Sequence, residues 1–401
     1  MHSRLPIELL DLVAQHAKMD TQTRLSVVSR SVYSVSTRAL YASIPHMSMI
    51  RMTRCLLTLS KNPELACLVR SFSLRISPSH LLRAFHALLT RGLSNMTGLH
   101  TLSLQLGIYA TSSVMSRMSC RLTKLVYVAA SDPSYPISRF LSSQPSIEEL
   151  YIVCRPGDVS ALNPEALPAL RDLAAPLQLL PALLKPRLSL LSRLSVLGTA
   201  SKFGSFVQLA MVLGSTRRPE SLELVIGVDI SGLSMDSKAL APGLALLGMH
   251  APFVGLLRLE IHEGCIRQDD LHYIFASALP EFPNLKTLIV MSQPPDLGAY
   301  IRKSTHLRHA RAGPEALEQT YDVNENMSSP PSALSSRSVL RDAGCGTAHR
   351  IRSVPMLDAL HDTLCHIQIV KSWGHIHPNL ERVVFPVGVY TYRDKQRRRY
   401  D

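Results

Sequence analysis

The sequence predicts an α/β fold in two unequal parts: a short all-helical N-terminal segment, then a long array of short strands with returning helices. Three observations lead there. At 401 residues the chain is too long for one ordinary compact core, which leaves two domains or an elongated array. Apolar residues make up 46% of it and charged residues 18%, the profile of a folded rather than a disordered chain. Leucine recurs in short apolar runs between more polar, helix-like stretches, which suits a core made by stacking similar units.

The helical segment is expected over residues 1–46. Residues 5–13 read Leu-Pro-Ile-Glu-Leu-Leu-Asp-Leu-Val. Ser3 or Arg4 would precede a first helix, with Pro6 in its first turn, where a missing N–H costs nothing. Glu8 in that turn suits the positive end of the helix dipole. Leu9, Leu10, Val13 and Ala17 recur at helical spacing and give this helix one apolar face. Asp20 is a suitable N-cap for a second helix, which carries Leu25, Val28, Val32 and Val35 on one side. Ala39, Leu40, Tyr41 and Ile44 close the segment, and Pro45 ends it.

The order of residues is more specific than the period. Leu5-Pro6-x-Glu8-Leu9-Leu10, then Asp20, then Arg24-Leu25-Ser26-Val27-Val28-Ser29-Arg30, then Leu40-Tyr41-x-x-Ile44 resembles the F-box of fungal F-box proteins. The resemblance implies a three-helix hook that docks on the Skp-family adaptor of a cullin-RING ubiquitin ligase. It assigns much of that contact to Leu5, Pro6, Ile7, Leu9, Leu10 and Val13, with Leu25 and Val28 behind them. The stretch before Arg24 is polar, with Gln15, His16, Lys18 and Asp20 where many F-boxes place leucines. A helical cap that merely seals the end of the array is the alternative.

The array is expected over residues 47–312. The pattern Leu-x-x-Leu-x-Leu appears as Leu99-Leu102-Leu104, Ile147-Leu150-Ile152, Leu191-Leu194-Val196, Leu256-Leu259-Ile261 and Leu285-Leu288-Val290. Weaker copies start at Leu122 and Leu170, and Leu380-Val383-Phe385 supplies a late one. Starts at 99, 122, 147, 170 and 191 lie 23, 25, 23 and 21 residues apart, which resembles the ~20–29 of leucine-rich repeats. Each unit would make one strand whose inward leucines are buried only when neighbours stack. Pro283-Asn284-Leu285 and Pro378-Asn379-Leu380 repeat one approach to a strand. The Asn or Cys usual after the strand is missing from most copies, so an irregular solenoid is expected, with a parallel-stranded α/β domain as the alternative.

Residues 313–350 break the pattern. Their Ser, Pro and Gly content predicts a flexible insertion whose serines are open to phosphorylation. Residues 351–401 regain order, with a helix through Met356, Leu357, Leu360 and Leu364 and a last repeat at Leu380. A basic tail of Arg393, Lys395, Arg397, Arg398 and Arg399 follows.

Charge and chemistry narrow the function. The net charge of +13 would attract nucleic acid, acidic proteins or anionic membranes. The cations are scattered, however, so groove readout with its clustered phosphate contacts is not expected. No secretory signal is expected, because Arg4, Glu8 and Asp11 interrupt any apolar run. Residues 239–257 carry no formal charge, yet Pro242, Gly243, Gly248, His250 and Pro252 predict a helix followed by a strand rather than a membrane span.

The seven cysteines (Cys55, Cys67, Cys120, Cys154, Cys265, Cys345 and Cys365) form no CxxC and no framework, which favours a reducing cytoplasmic or nuclear setting. No phosphate loop, nucleophile elbow or zinc motif occurs, so no catalytic residue, metal or cofactor is expected. His349, His361, Cys365, His366, His375 and His377 are expected to be structural, although His361 and Cys365 stand one helical turn apart. Trp373 is expected to pack an end of the array rather than to anchor a client.

The expected function is that of a substrate-recognition adaptor of a ubiquitin ligase, its repeats holding an unidentified client protein. A non-ligase interaction scaffold and a basic nucleic-acid-associated protein are the alternatives.

Overall fold

The computed structural model describes residues 6–76, 83–106, 112–129, 136–215, 217–230, 237–263, 266–292 and 358–392, all within one compact unit. Leu5, the 313–350 insertion and the basic tail lie outside the described residues.

Three helices open the chain: α1 (Ile7–His16), α2 (Met19–Leu25) and α3 (Arg30–Ala42), with α1 and α2 both packed on α3. Pro6 stands at the N-cap of α1 rather than inside its first turn, and Glu8 and His16 complement the two ends of the dipole. The second helix expected from the sequence is broken at residues 26–29. Ser29 has extended backbone, and its Oγ accepts from the Val32 N–H at 3.3 Å, so it caps a new helix. Asp20 is not a cap; it lies in the first turn of α2, and Lys18 stands at the boundary. The stiff Val27-Val28 pair ahead of a strong cap residue favours the break. One consequence is that Val28 does not share a face with Val32 and Val35 but turns to solvent.

The chain passes from α3 directly into β1 (Ser43–Ile44), so Ile44 closes no helix but begins a sheet. The remaining strands are β2 (Ser71–Ile76), β3 (Thr101–Leu106), β4 (Lys124–Val128), β5 (Glu149–Val153), β6 (Asp172–Pro176), β7 (Arg193–Ala200), β8 (Leu222–Asp229), β9 (Val254–Glu263), β10 (Thr287–Ser292), β11 (Arg382–Phe385) and β12 (Gly388–Thr391). They form a single twelve-stranded sheet whose spatial order is the chain order, parallel throughout except for the final β11–β12 pair. Connections among the described residues carry α4 (Met49–Lys61), α5 (Pro63–Ala66), α6 (Arg83–Asn95), α7 (Ile137–Ser142), α8 (Pro156–Val159), α9 (Leu180–Leu184), α10 (Phe203–Gly214), α11 (Ser237–His250), α12 (Gln268–Ala278) and α13 (Thr363–Ile376). The fold is therefore mixed α/β, and the unidirectional order differs from that of a doubly wound sheet, in which the order reverses.

Register explains the leucine pattern. Phe72, Leu102, Leu125, Leu150, Leu173, Leu194, Leu224, Leu257, Leu288 and Val383 stand opposite one another across successive strands, each at most 1% exposed. A side chain of this size contributes about 1.5–3 kcal/mol when fully buried, so the row is a main source of stability. The residue entering each strand also donates its N–H to its counterpart one unit back: Thr123 to His100 (2.8 Å), Glu148 to Thr123 (2.8 Å), Arg171 to Glu148 (2.9 Å) and Ser192 to Arg171 (2.9 Å). The two Pro-Asn-Leu copies do equivalent work, since Asn284 Nδ2 donates to the Pro252 carbonyl (2.8 Å) and Asn379 Nδ2 to that of Pro283 (3.0 Å).

The sequence pattern needs one correction and two additions. In β9 the aligned copy starts at Val254, not Leu256, because Leu257 is the residue opposite Leu288. Leu256 lies on the other face, half-buried. Units at Val69-Phe72-Leu74 and Ser221-Leu224-Ile226 escape a leucine search because Val, Phe and Ser fill their diagnostic positions. Residues 239–257 fold as the end of a helix, α11, and the start of a strand, β9, as expected. No helix among the described residues is long and apolar enough to cross a membrane.

Candidate binding surfaces

Strands β2 to β5 alternate strictly, every second residue buried and its neighbours half-buried or exposed. A parallel sheet covered on both faces would read as buried throughout. Across β2 to β5 one face is therefore buried and the other stays open, whereas in β8 Val225 and Ile226, on opposite faces, are both buried. The first row of the open face runs Thr101, Lys124, Glu149, Asp172, Arg193, Glu223 across β3 to β8. Lys124 pairs with Glu149 at 2.5 Å and Arg193 with Glu223 at 3.4 Å. Two residues further along the strands, the second row runs Val126, Tyr151, Ala174, Ser195, Val225. The small Ala174 and Ser195 leave a depression of about 280 Å³ beside Tyr151, bordered by the charged row.

The helical hook offers a different surface. Leu9 (48% exposed) and Val13 (54%) project from α1, and Pro6 and Ile7 are also exposed. Leu10 is half-buried and faces inward with Ala14, so Leu9, Leu10 and Val13 do not form the single face that the spacing suggested. At 100° per residue, Leu9, Leu12 and Val13 share the outward side. Leu25 is half-buried, whereas Val28 (66%) is exposed. Leu12, Met19, Val27 (84%) and Tyr33, which the resemblance did not assign to the contact, are exposed as well. An apolar stripe on α1 was readable, but its outward direction depends on packing against α3.

His349 lies outside the described residues, and among the described ones the C-terminal histidines and thiol form no group that could hold a metal ion. His361 Nε2 lies 2.9 Å from Ser292 Oγ, while the Cys365 thiol donates to the Asp362 and Ala359 carbonyls (3.1 and 3.4 Å). Burial pushes the Cys365 thiol pKa up, which disfavours the thiolate a metal would need. His366 is fully buried and stacked on Phe385 with ring centroids 4.0 Å apart. Trp373 is fully buried against Phe275 and Phe385, so it packs the C-terminal end of the sheet core.

No known protein family and no curated protein matches this chain.

Proposed function

We propose that the chain is a non-catalytic recognition subunit of a cullin-RING ubiquitin ligase, with α1–α3 as an F-box-like hook and the sheet as an irregular leucine-rich-repeat solenoid. The hook docks on the Skp-family adaptor, and the open face holds a client protein in a cytoplasmic or nuclear compartment. Transfer chemistry belongs to partner enzymes; the contribution of this chain is to raise the effective concentration of client lysines near charged ubiquitin.

One observation carries the reading. The segment whose residue order resembles an F-box keeps Leu9, Leu12, Val13, Val27 and Val28 outside its own core. Exposed apolar side chains gathered in one small element favour a partner that covers them. The stacked, in-register leucine row supports the solenoid half of the proposal.

The test is retention of a purified Skp-family adaptor by the full chain. Leu9→Asp plus Val13→Asp makes a cleaner control than any change at Leu10, which packs inward. Retention should fall at least ~10-fold in the double variant, two buried apolar contacts being worth more than one decade of affinity. Equal retention, or none by either protein, removes the ligase role. The direct passage of α3 into β1 favours a second reading, a scaffold whose hook caps the sheet. Normal client binding without adaptor binding would support it.

A further inference from the structure

On the charged row of the open face, every described ionic side chain from Lys124 to Glu223 has an ion-pair partner except Asp172. Among the described residues its carboxylate accepts only the Ser192 hydroxyl, at 3.1 Å. Asp172 also stands directly opposite Glu149 on the neighbouring strand. Strands are ~4.8 Å apart, and like charges placed opposite one another oppose pairing. Arg193, opposite Asp172 on its other side, is turned to Glu223 instead. The fold thus holds two adjacent carboxylates, with only Glu149 neutralised, at the rim of the depression beside Tyr151.

We propose that this depression takes one basic side chain, Lys or Arg, from an extended segment of the client. The cationic head pairs with Asp172 and relieves its conflict with Glu149. The aliphatic stem lies over Ala174 and Ser195, against the Tyr151 ring, where a cation also gains from the π face. About 280 Å³ lies at the small end of ligand pockets, a size that suits one or two side chains. An acidic side chain would meet the Asp172 carboxylate, whereas the two nearby cations, Lys124 and Arg193, already have partners. The overall charge of +13 does not oppose this choice at contact range, because exposed charges beyond ~8 Å are largely screened at physiological salt. The inference rests on the open face being the client surface. It is independent of whether the hook binds an adaptor.

The experiment is selection from a random dodecapeptide display library on the full-length protein, followed by binding of the selected peptide to wild type, Asp172→Asn and Ala174→Leu. Lys or Arg should be enriched at one fixed position. Each variant should weaken the peptide by on the order of tenfold, the value of one charge-assisted contact. Replacing the enriched basic residue by Gln in the peptide should cost wild type a similar factor, a readout that does not depend on any variant folding. Enrichment of acidic residues, no enrichment, or unchanged binding by a folded Asp172→Asn variant would each overturn the proposal. Because adaptor capture reads α1–α3 and peptide selection reads β4–β7, failure of one is distinguishable from failure of the other.

Discussion

Arg187 is about 1% exposed and makes no ion pair among the described residues. Its guanidinium donates to three carbonyls instead: Ala166 (2.7 Å), Leu183 (3.1 Å) and Asn163. Burial pulls its pKa down from the ordinary guanidinium range, yet the planar fork places donors that a lysine could not. Leu167, in the β5–β6 connection that supplies the Asn163 and Ala166 carbonyls, has a left-handed backbone (φ 59°), so Arg187, from the next connection, fixes a turn with some strain in it. Arg187→Met fills much of the volume but strands three carbonyls, and it should cost about 2–4 kcal/mol. A shift of the urea midpoint worth less than about 0.5 kcal/mol would mean that water replaces the guanidinium there. His366 makes the complementary case. Its Nε2 donates to the Ala359 carbonyl at 2.8 Å and its Nδ1 accepts from the Tyr390 hydroxyl at 3.1 Å, so the neutral ring is fully satisfied. Burial lowers its pKa below 6.5. The unfolded chain then binds the proton more readily, so this contribution is fully present above about pH 6.5 and is lost as pH falls through the lower folded value. Urea titrations at pH 7.5 and 5.5 should show wild type losing stability on acidification, with a smaller loss in His366→Phe. Parallel losses would assign the pH dependence to other groups.

At the scale of elements, how much could be read in advance depended on whether one residue type kept its position. Strands β3 to β7 were visible because Leu or Ile holds the leading position at 99, 122, 147, 170 and 191. The β8 unit was not visible, because Ser221 takes that position while Leu224 and Ile226 still fill the core. The displaced copy in β9 shows the limit of a period of two. Leu256 and Leu257 are both apolar, and only the pairing of Leu257 with Leu288 decides which points inward. The α2–α3 break failed for another reason: Ser29 and Asp20 are both good cap residues, and α2 starts one residue ahead of Asp20 while Ser29 caps a separate helix. The charged row was not readable at all. Lys124, Glu149, Asp172 and Arg193 lie more than 20 residues apart in sequence and meet only through the sheet register. The positions of Ala174 and Ser195, which shape the depression, become meaningful only once Tyr151 is placed beside them.

Across the whole described unit, one apolar core runs from Ile44 to Phe385, and the buried apolar residues of the hook, Ala14 and Val35, are not part of it. The two regions should therefore differ in local stability. Helix α1 buries only Ala14 and α2 buries no residue fully, so neither gains the 1.5–3 kcal/mol that each interior leucine brings to the sheet, on the order of magnitude expected for full burial. At 10 and 7 residues, both are also shorter than the ~12–15 at which an isolated helix becomes even marginal. Helix α3 is placed differently: it continues into β1, and Tyr41 near its end packs on the main core. Native-state hydrogen exchange should then show a gradient. Amides of α1 and α2 should open at least about 2 kcal/mol more easily than those of β4 to β6, with the last turn of α3 intermediate. Equal protection of hook and sheet would instead mark α1–α3 as an integral cap and weaken the docking proposal. Adding the adaptor should raise protection in α1 and at the α2–α3 turn while leaving β4 to β6 unchanged, because only the hook gains a covered apolar face.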